Sequence, residues 1–188
     1  MRAASGTAAL RGEVRDLLQL ERRLHARLTA ELETGALRER PDAWRLLKRL
    51  EPRAYAHQAA LQQALRRMHG RVPWLRRASR AALARVARWL EPARSMPEAT
   101  GDLCDIYALL SNTTAAYLVL ATSARTLGDP QTAALAERSA DDANAFLEEI
   151  AVLLPELARA EVGGEAGTPL APLDDTSEES SRSEGRMG

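Results

Sequence analysis

From Ile106 to Ala124 the chain carries no charged side chain, and few soluble folds can accommodate so long an uncharged run. Within Asp102–Leu127, steps of three and four residues give Leu103, Ile106, Leu110, Thr113, Tyr117, Leu120, Ala124 and Leu127. That spacing draws one apolar line along an α-helix. The run is also just long enough to cross a bilayer. Ser111, Asn112, Thr113 and Thr114 stand together at its middle, however, and a lipid-facing helix rarely carries such a cluster. The favoured reading is a helix buried in a bundle, with neighbours on several sides.

The rest of the chain supplies those neighbours. A first helix is predicted over residues 7–33, on the line Leu10, Val14, Leu17, Glu21, Leu24, Leu28, with Gly35 as its C-terminal cap. A second begins at Pro41 on the line Ala43, Leu47, Leu50, Ala54, His57, Leu61, Ala64, Met68, and Pro52 should kink or divide it near Leu50. After the central helix, Gly128-Asp129-Pro130 reads as a short turn. A last helix then follows to about residue 160 on Leu135, Ser139, Asp142, Phe146, Glu149, Leu153, Leu157, with Pro155 disturbing its end. Nothing alternates with the period of a strand. The expected fold class is all-α: a four-helix bundle over residues 1–162, with an additional amphipathic helix between the second and third helices, then a disordered acidic tail over 163–188.

Charge is balanced overall, with 26 basic and 26 acidic residues, so net charge points to no specific nucleic-acid partner. Locally it is not balanced. Residues 66–94 hold nine arginines and one acid, Glu91, while residues 163–188 hold six acids and two arginines. Within the basic stretch, the segment 73–91 gathers Trp74, Leu75, Ala78, Ala82, Val86, Trp89 and Leu90 on one side of a helix. Arg76, Arg77, Arg80 and Arg88 gather on the other, with Arg85 near the boundary. Such a helix either packs its apolar arc on the bundle or a second subunit, or lies on an anionic membrane surface with its tryptophans at headgroup depth. A homodimer and an anionic membrane surface are therefore the candidate partners. One cysteine, Cys104, excludes an internal disulfide, and the N-terminus lacks the apolar run of a signal peptide. These features point to a cytoplasmic protein, with attachment to the inner face of the membrane as the variant.

Four patches of sequence carry a resemblance. They are Leu20-Glu21-Arg22-Arg23-Leu24; His57 with Leu61, Leu65 and Gly70; Asp105-Ile106-Tyr107-Ala108-Leu109 with Ala115-Ala116-Tyr117; and Ala145-Phe146-Leu147 with Leu153-Leu154-Pro155. In this order and spacing, residues 12–160 resemble the ferritin-like bacterial family that includes the stress-associated YciE and YciF proteins. The resemblance implies a bundle with a long crossover and a two-metal carboxylate centre, built from inward-facing Glu residues and Glu-x-x-His pairs. This chain departs from that pattern. Glu21 and His57 stand at ligand positions, but Ala54 and Ala60 flank His57 at a distance of three. Leu110 and Thr113 occupy the places where the third helix should offer carboxylates, and on the fourth Asp141 or Asp142 could stand for the expected acid, with no histidine nearby.

Glu21, His57 and Asp142 are thus the candidate metal ligands, too few for a dinuclear redox centre. Each also has a plainer reading: Glu21 paired with an arginine, His57 a hydrogen-bonded core histidine, the aspartates solvated, Tyr107 and Tyr117 packing residues with a polar tip. His25 and His69 lie off the core lines and are expected at the surface. No nucleophile motif, phosphate loop or zinc pattern is present. The expectation is a non-catalytic bundle with no cofactor, a stress-related structural or interaction module. The alternatives are a protein holding iron or another divalent metal at a reduced or intersubunit site, and a peripheral membrane protein.

Overall fold

A computed structural model describes residues 2–68 and 98–165. The basic segment 73–91, with Trp74, Arg76, Arg77, Arg80, Arg85, Arg88 and Trp89, lies outside the described residues, as do His69 and the tail beyond 165. The described residues form four α-helices and one turn of 3-10 helix: α1 (Arg2–Thr34), the short turn Ala36–Glu39, α2 (Pro41–Arg67), α3 (Glu98–Thr126) and α4 (Pro130–Glu165). No strand occurs among them.

Side-chain pairs set the directions. Glu13 meets Ser123, Glu21 meets Tyr117 and Arg27 meets Asp102, so α1 and α3 run antiparallel. His57 faces Asp142 and Arg49 pairs with Glu149, so α2 and α4 are antiparallel as well. With the α1–α2 and α3–α4 hairpins, the helices run up, down, down, up in chain order, and every pair of neighbours around the bundle is antiparallel, with α2 diagonal to α3. The end of α2 and the start of α3 therefore sit at opposite ends: Met68 packs beside Leu10, Leu61 and Leu120, whereas Ala99 lies with Leu28, Leu37 and Leu157.

The connections follow from local chemistry. α3 ends at Gly128, whose φ of 73° is a left-handed conformation that a side chain would strain. Its amide donates to the Arg125 carbonyl and that of Asp129 to Ala124, the paired bonds of a Schellman ending. Asp129 then caps α4 by accepting from the Thr132 amide at 3.0 Å and the Thr132 hydroxyl at 2.7 Å.

Gly35 is not the left-handed cap expected of it. Its φ is −76°, and glycine is favoured there because a Cβ would stand 2.8 Å from the Glu31 Cα, a backbone atom that cannot move aside as the Glu31 carboxylate could. The 3-10 turn that follows was not anticipated, and it sends Leu37 fully into the core.

Pro52 does not divide α2 into two elements, and α4 runs through Pro155 and Gly163 to Glu165. Both prolines are exposed. The carbonyl each leaves without an amide partner is therefore on the solvent side of its helix.

Candidate functional site

Two apolar clusters fill the bundle. One holds Leu24, Leu28, Leu46, Leu47, Leu50, Leu103, Ile106, Leu110 and Ile150; the other holds Leu10, Val14, Leu17, Leu61, Leu120, Ala133 and Ala136. Each helix passes from one cluster to the other through polar residues. On α1 this is Glu21, on α2 His57 and Gln58, on α3 Thr113 and Thr114, and on α4 Ser139 and Asp142. The polar positions on the four core lines, read along the sequence, thus form one transverse layer.

Glu21 is its centre, 1% exposed. The Tyr117 hydroxyl donates to Glu21 Oε1 at 2.6 Å, and His57 Nδ1 faces the same oxygen at 3.2 Å. Gln58 Nε2 donates to the Glu21 main-chain carbonyl at 3.2 Å. On the other edge of the ring, His57 Nε2 faces Asp142 Oδ2 at 3.5 Å, and Arg53 Nη1 lies 3.8 Å from that oxygen. The rings of His57 and Tyr117 meet edge to face at 5.7 Å. Thr113 and Thr114 turn their hydroxyls back to the carbonyls of Leu109 and Leu110.

Burial of the His57 ring disfavours its charged form, but the hydrogen bond and charge of Glu21, followed by those of Asp142, outweigh it. The His57 pKa is raised above 6.5. An imidazole between two carboxylates donates to both only when both nitrogens are protonated. Tyr117 is pushed far up by burial and then by the Glu21 charge, against a smaller lowering from its hydrogen bond with Ser139. It stays a neutral phenol and a donor.

Of the anticipated ligands, Glu21, His57 and Asp142 are brought together, while Asp141 is exposed. Glu21 meets a histidine and a tyrosine where an arginine was the plainer expectation. His25 is not at the surface: it is half-buried, 2.7 Å from Glu51 Oε1 and beside the Tyr55 ring. Sequence reasoning placed Tyr117 as a packing residue and missed that it anchors Glu21. The signal was present, since Tyr117 lies on the α3 core line at the level of the other polar breaks.

The donor set does not fit a dinuclear metal centre. Each ring nitrogen of His57 is directed at a carboxylate, so the imidazole separates Glu21 from Asp142 and does not stand beside them around a common point. Metal–nitrogen and metal–oxygen bonds of about 2.0–2.2 Å need such a point. Leu110 and Thr113, both buried, fill the α3 positions with a methyl-bearing side chain and an already bonded hydroxyl. Among the described residues, no group of three or more His, Cys, Asp or Glu is arranged to hold a metal ion.

A second charged cluster lies towards one end. Arg27 donates to Glu31 and, at 2.5 Å, to Asp102, tying α1 to α3. The Glu161 carboxylate of α4 accepts from the Ala99 and Thr100 amides at 3.1 Å each, satisfying donors in the first turn of α3.

No family model and no curated protein matches this chain. In fold it is similar to an uncharacterised protein of Xanthomonas campestris pv. campestris known from its crystal structure. The TM-score is 0.67 at 16% identity, over 86% of this chain and 99% of that one. At that identity the likeness is one of fold.

Proposed function

We propose that the protein is a non-catalytic ferritin-like bundle, a structural or interaction module in which a protonated histidine layer occupies the level of a lost metal centre. The observation that carries this reading is His57 seated between Glu21 and Asp142, with both ring nitrogens engaged. A ligand histidine must offer a bare nitrogen to the metal. The ferritin-like assignment is supported by the up-down-down-up order and by the long connection between the opposite ends of α2 and α3. The stress-related setting rests on the family resemblance, and a cytoplasmic location on the sequence features above. α3 is long and apolar enough to span a membrane, a test that core helices of bundles also pass.

The experiment is metal analysis of protein purified without chelators, followed by titration with Fe(II) under air. The expected result is no saturable binding near two irons per chain and no accelerated iron oxidation. Two irons per chain would overturn the proposal. One observation favours a second reading, a single divalent cation at a reduced or shared site: Glu21 Oε2 is buried with no hydrogen-bond partner. Saturable binding of one metal per chain or per dimer, abolished by Glu21→Gln, would establish it.

A further inference from the structure

Charge divides this bundle lengthwise. Residues 2–67, which form the α1–α2 hairpin, hold 14 basic and 8 acidic residues, whereas residues 98–165 of α3 and α4 hold 3 and 12. On the outside of the first hairpin the contrast is complete. Over residues 11–30 and 43–67, nine cations are exposed and no acid is. Arg45, Arg49 and Arg53 are drawn to Asp42, Glu149 and Asp142, but Arg15, Arg22, Arg23, Arg66 and Arg67 form no ion pair among the described residues. Several of these cations share the seam where His25 of α1 meets Glu51 of α2. Arg22 and Arg15 lie three and ten residues before His25, and Lys48 three before Glu51, so the helical period carries them to the outer edge of that seam. Lys48, Tyr55 and Arg66 follow at intervals of seven and eleven, close to whole turns, and so lie in one line. Tyr55, in the middle of that line, is 63% exposed, with its ring 5.7 Å from that of His25.

We propose that this seam binds single-stranded nucleic acid, its cations holding the phosphate backbone and Tyr55 stacking on a base. The chemistry of the seam selects that partner. From Arg45 to Arg66 the cations extend about 32 Å along α2, a length suited to a repeating anion and not to one compact ligand. Eight of the nine are arginines, whose guanidinium meets a phosphate with two parallel hydrogen bonds. A tyrosine exposed in mid-line adds a flat surface that a base can cover. Cations along a backbone with an aromatic among them hold a strand without reading its sequence. A lipid surface fits less well. Among the described residues Tyr55 is the one large apolar side chain exposed on α1 or α2, and its exposed neighbours Ala56, Ala59 and Gln63 give an interfacial helix little to bury. A second copy fits less well too. α4 exposes Asp141, Glu148 and Glu156, but Arg138 and Arg159 stand at either end of them, and α3 turns Leu118 and Val119 outward. The balanced net charge conceals a face that becomes cationic only when the hairpin folds. The proposal names a partner for the interaction module and holds whatever the polar layer binds.

Fluorescence anisotropy of a labelled single DNA strand of mixed sequence, titrated with the full chain across a salt series, tests this. Binding should fall at about 1–100 µM near physiological salt and weaken steeply as salt rises. Arg15→Gln, Arg22→Gln and Arg66→Gln combined should lower the slope of log affinity against log salt by about 2, since each phosphate contact on a single strand contributes about 0.7. Arg159→Gln, on the other hairpin, should leave the slope unchanged. Tyr55→Ala should weaken binding to the strand at least about fivefold, and leave binding to heparin, a polyanion without bases, as it was. All five side chains are exposed, and circular dichroism checks that each variant keeps its helices. The proposal falls if the wild type does not bind the strand. It falls if the triple variant keeps the full slope, when cations elsewhere in the chain carry the binding, or if Tyr55→Ala binds the strand like the wild type, when the face is electrostatic alone. It also falls if anionic vesicles are bound in preference to the strand, when lipid is the partner. Iron uptake at the polar layer, measured separately, would overturn the proposed function without altering any of these outcomes.

Discussion

Glu21 is the residue on which the middle of this molecule turns, and its partners make its energetics testable. The Tyr117 hydroxyl is a neutral donor to a buried carboxylate that already has one oxygen without a partner. Hydrogen bonds to charged groups contribute about 1.5–3 kcal/mol. Tyr117→Phe should therefore lower the unfolding free energy by about that amount, and the loss should largely vanish when Glu21 is also replaced by Gln; a double-mutant cycle by chemical denaturation measures both. The single change His57→Leu should cost about 3–5 kcal/mol, because it strands the Glu21 charge. Replacing Glu21 and His57 together with leucine should be neutral or stabilising by up to about 4 kcal/mol, since an apolar layer carries no desolvation cost. These outcomes separate a charged layer that specifies register from one that supplies net stability.

At the scale of the helices, much of the arrangement was legible in the sequence and some was not, for physical reasons. The core lines of α1, α2 and α3, the Gly128-Asp129-Pro130 turn and the polar breaks at Glu21, His57, Thr113 and Asp142 could be read from spacing, because burial imposes the helical period. On α4 the buried line is Ala133, Ala136, Ala140, Ala143 and Ile150. The line through Leu135, Asp142, Phe146, Glu149 and Leu153 runs to one side of it, because small alanines mark a core less plainly than leucines. Pro52 does not divide α2, because position 52 lies off the Leu47, Leu50, Ala54 line on the exposed side of the helix. The Leu110 and Thr113 positions indicate what α3 lacks, but not that His57 would be held on both sides by carboxylates; only the geometry of the pairs reveals that. Since Pro52 lies on the exposed side of a continuous helix, Pro52→Ala should restore the amide to the Lys48 carbonyl and stabilise the protein by about 1 kcal/mol or more. A lower thermal midpoint would mean that α2 needs the proline. Leu110→Glu with Thr113→Glu should destabilise strongly, by placing two carboxylates in a layer whose cation already serves two. Thermal denaturation with and without Fe(II) measures the effect, and rescue by iron would show that the remaining donors can be recruited.

For the whole molecule, the reading proposed above has a proton on His57, and not a metal, joining α1, α2 and α4 across the middle of the bundle. Linkage gives the sign. The folded state binds that proton more tightly than the unfolded chain, so the His57 pKa is raised above 6.5 on folding. The stabilisation is complete below 6.5 and is lost as the pH rises through the folded value. The most direct measurement is the unfolding free energy of the wild type and of His57→Gln across that window, each with and without a chelator. The account expects the difference between the two proteins to be largest below pH 6.5, to shrink as the pH rises through the folded-state value, and to ignore the chelator. A difference that grows with rising pH and disappears when metal is removed would contradict it.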